Sequence, residues 1–231
     1  MNNSYGVLLN SRDHVTVSDL DVRYFVGAGF RVTNVTAGVT IEDNAVHAGD
    51  PGSGNARGYD VRNSSGVTVT GNSFTTPTNT EAQTDGIWSS DNDGVVFEKN
   101  EIVISNNSTT GHSDGIQSFH DINITVRYNR FEQANAAETD NHGAWLSNTR
   151  DGGVLEVYGN VFLAPNLTGD ANVTHIRQNG WTQNGTAEIY NNNIVGGREA
   201  LAIKNSPDVE AYDNITIDSD TYTPGLLEPL I

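Results

Sequence analysis

Asp85, Asp114 and His142 each stand one residue before a glycine, in three successive copies of a repeated pattern. Four of the six histidines, His112, His120, His142 and His175, fall in that same stretch. Carboxylates and imidazoles set in one row can move protons on a glycan. β-Elimination on a uronate needs a base at C5 and a group to neutralise the carboxylate. His112, His142 or Arg177 would be that base, with Asp85 and Asp114 holding Ca2+, the one cofactor these carboxylates suggest. Glycoside hydrolysis needs two carboxyl groups, one of them protonated, and Asp85 with Asp114 would be that pair. A plainer role also fits: Asp before Gly caps turns, and strict alternation from inward Ile87 and Ile116 turns both carboxylates inward.

A second row runs beside the first. It reads Arg31, Asp60, Trp88, Gln117, Trp145, Arg177 and Lys204, one residue per repeat. Exposed tryptophan on a surface marks a binding face more often than chance placement does. Trp88 and Trp145 lie two repeats apart, about 10 Å at strand spacing, which suits sugar rings stacked on indoles. Gln117 between them would bond hydroxyl groups. Asp60 would flank the track, and Arg177 with Lys204 would bring positive charge for uronate carboxylates.

Both rows exist only if the repeats stack. Asn44, Asn72, Asn100, Asn129, Asn160, Asn192 and Asn214 recur at intervals of 28, 28, 29, 31, 32 and 22 residues. An apolar–x–apolar pair precedes each, as in Val67-x-Val69-x-x-Asn72-x-Phe74, and an earlier copy carries Leu20 in the Asn slot. Period-two alternation inside a repeat of this length predicts short strands stacked as a solenoid. Each repeat has a second apolar segment upstream, so two to three strands per repeat fit one coil of a parallel β-helix of about eight coils. The Asn slot reads as scaffold: a corner residue tolerant of left-handed dihedrals, with side chains bonded along the rod. Glu156, Glu188 and Glu210, beside Tyr158, Tyr190 and Tyr212, read as a solvated acidic face. Extra residues at 75–83, 103–112, 132–141 and 163–173 border the central repeats, as insertions on a binding face do.

The repeat runs through nearly all 231 residues, which predicts one domain over 1–231, with 216–231 as a C-terminal cap or tail. Net charge is −17, the opposite of a nucleic-acid footprint and in keeping with a secreted or halophilic acidic protein. There are no cysteines and no apolar run long enough to span a membrane. No secretory leader precedes Val7-Leu8-Leu9. These features fit an extracellular or cell-surface protein, or a virion-type one, with open coil ends available to a second copy.

The phrase His112-Ser113-Asp114-Gly115-Ile116-Gln117, followed by Ile124-Thr125-Val126-Arg127-Tyr128-Asn129, resembles the rungs of right-handed parallel β-helix repeat proteins of the pectate-lyase-like superfamily. The resemblance covers nearly the whole chain and implies a right-handed coil. It implies two kinds of function: processing of acidic polysaccharides by lyase-like elimination or hydrolysis, or a non-catalytic glycan-binding or structural rod such as a virion spike. Gly111-His112-Ser113 matches part of the polygalacturonase set; the pectate lyase Arg-x-Pro-x-x-Arg and the epimerase Asp-Pro-His-Glu motifs are absent.

Overall fold

The computed structural model describes residues 5–49, 56–76, 84–105, 113–134, 141–147, 153–164, 173–179, 185–204 and 208–217; at 147, 173–179, 203 and 204 only the backbone is described. Those residues form three parallel sheets of eight strands, one strand from each coil. Sheet A runs from Tyr5–Asn10 through Ala28–Thr33, Ala56–Arg62, Thr84–Ser90, Asp114–Phe119, Asn141–Ser147 and Val173–Asn179 to Glu199–Lys204. Sheet B spans Val15–Ser18 to Val209–Tyr212, and sheet C spans Asp21–Arg23 to Ile215–Ile217. Ile215–Ile217 takes the first two residues of the expected tail into the last coil; residues 218–231 lie outside the described ones.

No coil has an apolar face of its own large enough to fold alone, so the core is a set of columns. Phe30, Tyr59, Ile87, Ile116 and Ala144 stack inside sheet A, all fully buried. Val46, Phe74, Ile102, Phe131 and Phe162 do the same inside sheet C. The rings of Phe131 and Phe162 stack at 5.2 Å.

The asparagine column holds the corner between sheets B and C. Each Oδ1 accepts the backbone N–H of the preceding Asn at 2.9–3.0 Å, from Asn44 through Asn214. The side-chain amides bond along the same line, Asn44 Nδ2 to Asn72 Oδ1 at 3.0 Å for example. The expected left-handed dihedral lies one residue earlier, at Asp43, Gly71, Lys99, Tyr128, Gly159, Asn191 and Asp213. The chain turns there, which brings the next residue's amide inward to bond rather than to bend. Leu20 has no amide to offer, and its N–H closes the column on Asn44 at 3.0 Å.

Candidate functional site: two outward rows on sheet A

Glycine decides which way the first row faces. A Cβ built on Gly86 would come within 2.5 Å of the Gly115 carbonyl oxygen and would run into Ile102 of the core. One on Gly115 would strike Phe131 at 2.6 Å, and one on Gly58 would strike Phe74 at 2.7 Å. The glycine positions therefore point inward, and so do the residues that follow them, such as Ile87 and Ile116. Two consecutive inward positions break the alternation. The residue before each glycine is thereby turned outward, contrary to strict alternation.

The resulting row reads Arg57, Asp85, Asp114, His142, with Thr174 and Glu199 beyond. Its members Asp85, Asp114 and His142 are hydrogen-bonded in line. The Asp114 N–H donates to Asp85 Oδ1 at 3.2 Å. His142 donates to Asp114 Oδ1 twice, from its backbone N at 3.1 Å and from Nδ1 at 2.8 Å. A carboxylate acceptor fixes the imidazole proton on Nδ1 and leaves the lone pair on Nε2. Burial, then the neighbouring Asp114, push the Asp85 carboxyl well above the usual carboxylate range, against the pull of Arg57. Asp85, Asp114 and His142 are each at most 1% exposed.

The second row pairs as Leu8, Arg31, Asp60, Trp88, Gln117, Trp145, Arg177 and Ala202. Lys204 does not belong to it. Ile176 pairs in register with Leu201, which sets Ala202 opposite Arg177 and puts Lys204 opposite Asn179. Arg177 holds the register position next to Trp145; its side chain, like that of Lys204, lies outside the described ones. His112 also lies outside the described residues.

Trp88 is less open than a sugar platform should be. The Arg57 guanidinium sits 4.0 Å from its ring centre and covers one face. Gln117 and Asp60 are buried at 2% and 1% exposure, so neither presents an open edge. Asp60 is spent on ion pairs with Arg31, Arg57 and Arg62. Phe119, which the spacing did not single out, lies between the indoles at 5.1 Å from Trp88 and 6.0 Å from Trp145. The three rings make one aromatic strip, and the His142 ring meets Trp145 at 5.0 Å. His120 lies apart, exposed at a corner and 3.7 Å from Asp91.

Arg57 was missed as well, although the signal was present. Arg57-Gly58 is the copy before Asp85-Gly86, so the residue-before-glycine rule extended by one coil finds it.

The residues do not suit Ca2+. That ion takes 6–8 oxygen ligands. Here each Asp already accepts hydrogen bonds, and the Arg57 Nε lies 3.8 Å from Asp85 Oδ2, where it would repel a cation. Among the described residues no group of three or more His, Asp or Glu side chains could hold a metal ion. No helix among them is long and apolar enough to cross a membrane.

A coil of three parallel sheets with an acid–imidazole row on one outer face defines a β-solenoid with a candidate surface site. Residues 2–179 match the family model described as the right handed beta helix region, and the chain belongs to that family. A search of curated proteins returns no match. Among solved structures the chain is similar to DFA-IIIase from Arthrobacter chlorophenolicus A6 without its lid, in complex with GF2, at 10% identity and a TM-score of 0.36. The match covers 87% of this chain and 58% of that one. At this distance the likeness carries no functional argument.

Proposed function

We propose that the outward face of sheet A processes an acidic polysaccharide by β-elimination, with His142 as the base. The observation that carries this is the Asp114–His142 pair, joined at 2.8 Å through Nδ1. Asp114 orients the ring and stabilises the imidazolium that forms when Nε2 takes the C5 proton. The C5–H electrons become the C4=C5 double bond, the C4–O4 bond breaks, and the imidazolium returns its proton to O4. With its carboxyl pushed toward the neutral form by burial and by Asp114, Asp85 opposes the uronate carboxylate less than an ordinary aspartate would, and its protonated form can donate a hydrogen bond to it. Hydrolysis by an Asp85–Asp114 pair has less support, because one Asp114 oxygen is already given to His142. Trp145 and Phe119 would carry the apolar faces of the sugar rings. A polymeric substrate of this kind implies an extracellular or cell-surface setting.

One observation favours a second reading. Asp85, Asp114 and His142 are shielded from water, so chemistry requires that they become accessible to a substrate. A permanently closed row would instead be internal bracing for a non-catalytic glycan-binding or structural rod. An assay on pectate, alginate and glucuronan separates the two. The elimination reading expects C4=C5 unsaturated product from wild type, cut at least a hundredfold in His142→Gln, as befits a lost general base. Bound glycan with neither unsaturated product nor new reducing ends would leave only the rod.

A further inference from the structure

The outward face over the second and third coils gathers positive charge that its own carboxylates do not balance. Arg62 bonds Asp60 twice, Nε to Oδ1 at 2.7 Å and a terminal nitrogen to Oδ2 at 3.0 Å. Arg31 reaches Asp60 Oδ2 at 2.5 Å, and Arg57 approaches the same oxygen at 3.6 Å. The next carboxyl along, Asp85, is held toward its neutral form by burial and by Asp114. Three guanidinium groups thus share two carboxyl groups, Asp60 and Asp85, in a chain whose net charge is −17.

Two donors in this cluster are also short of acceptors. Arg57 Nε and Trp88 Nε1 are both buried and have no hydrogen-bond acceptor among the described residues. A buried donor left unpaired is costly, and a ligand that supplies the acceptor recovers that cost. The side chains of Arg31, Arg57 and Arg62 keep 18%, 18% and 28% exposure, so the cluster is reachable from solvent. Surplus guanidinium charge beside unmet N–H donors is the chemistry that recognises a planar or tetrahedral oxyanion.

We infer that Arg57, with Arg31 and Arg62, forms an oxyanion subsite beside Trp88 on the outward face of sheet A, and that it takes the carboxylate or sulfate group of an acidic glycan. The glycan part rests on the reading of this face as a polysaccharide track; the oxyanion part does not. Asp60 is the internal competitor for the same guanidinium groups. Removing its charge should therefore strengthen anion binding, which a purely bracing role for the cluster does not predict.

The test titrates the protein with sodium sulfate, sodium glucuronate and glucose at fixed ionic strength, reading the Arg Nε–H and Trp Nε1–H signals by NMR. Saturable shifts of Arg57 and Trp88 are expected with an anion and none with glucose. Arg57→Gln and Arg62→Gln should weaken binding roughly tenfold, the value of about one charge-assisted hydrogen bond. Asp60→Asn should tighten it. The tighter of sulfate and glucuronate identifies the group that the subsite prefers. No saturable shift with either anion, or the same affinity in folded Arg57→Gln and Arg62→Gln, overturns the inference. Small-anion binding without any glycan binding or turnover would uphold the subsite and remove the glycan reading.

Discussion

Asp121 gives the sharpest residue-scale prediction, because its surroundings are complete. It sits at the corner between sheets A and B, below Ser64 and Asn92 in a second polar column. Ser64 N–H donates to Asn92 Oδ1 at 3.0 Å, and Asn92 N–H to Asp121 Oδ1 at 2.8 Å. Ser118 Oγ donates to the other Asp121 oxygen at 2.6 Å. Burial outweighs these bonds and pushes the carboxyl up to about 6. A raised pKa means that the folded state holds the proton longer than the unfolded chain does. The stabilisation is full below the unfolded value near 4 and fades as pH rises to about 6. Asp121→Asn keeps the acceptor for Asn92 and cannot ionise. Denaturant melts from pH 4 to 7 should show the variant gaining about 2 kcal/mol relative to wild type across that window. An equal difference at every pH would contradict the assignment.

His142 and Asp114 make a linked pair at the same scale. Asp114→Asn should cost activity chiefly in the chemical step, since the ring can still sit in place while its imidazolium loses its counter-charge. Steady-state kinetics should show kcat falling by roughly two orders of magnitude or more with little change in KM. A KM effect alone would make Asp114 a binding residue.

At the scale of elements, the glycine column sets which way the row before it faces. Gly115→Ala would drive a methyl into Phe131 and the Gly143 carbonyl, with backbone on one side and packed core on the other. It should lose about 3 kcal/mol or more in chemical denaturation. A loss under 1 kcal/mol would mean that the strand can flip Asp114 inward instead. The asparagine column predicts a gradient. Asn100→Ala removes an acceptor used by Asn72 and donors used at Val69 and Asn129, whereas Asn214 ends the line. The central variant should therefore be the more destabilised of the two.

The same elements mark where sequence sufficed. The stacked strands, the inward columns and the asparagine bonding followed from period-two alternation at a repeat of about 28 residues, because each coil must match its neighbours. The facing of Asp85 and Asp114 did not follow. Alternation is a rule for regular strand, and it fails where two inward residues are consecutive at Gly86-Ile87 and Gly115-Ile116. The Lys204 placement failed because the step from Arg177 to its register partner Ala202 is shorter than the step from Trp145 to Arg177, so a spacing carried over from the earlier coils overshoots. Phe119 was hidden by lying two residues off the tryptophan row, a distance that side chains of this size span easily.

At the scale of the molecule, the dominant feature is a rod with like charges in columns. Glu156, Glu188 and Glu210 pair directly across successive strands of sheet B, beside the stacked rings of Tyr158, Tyr190 and Tyr212. Adjacent carboxylates at one strand spacing repel, and salt screens them. Thermal unfolding should therefore move up by several degrees between about 0.01 and 1 M NaCl, where the Debye length falls from ~30 to ~3 Å. Glu188→Gln should stabilise at low salt and make little difference at high salt.

The positive Arg31–Arg57–Arg62 patch stands out against that acidic field, on a different sheet from the glutamates. A long acidic polymer would be repelled by most of the rod and drawn to this one place. A crystal structure with a bound uronic-acid oligosaccharide tests the whole account most directly. The sugar chain is expected along the outward face of sheet A, with a carboxylate at Arg57 and a ring over Trp145 near His142 Nε2. A chain seated on sheet B or sheet C, with His142 still sealed, would contradict it.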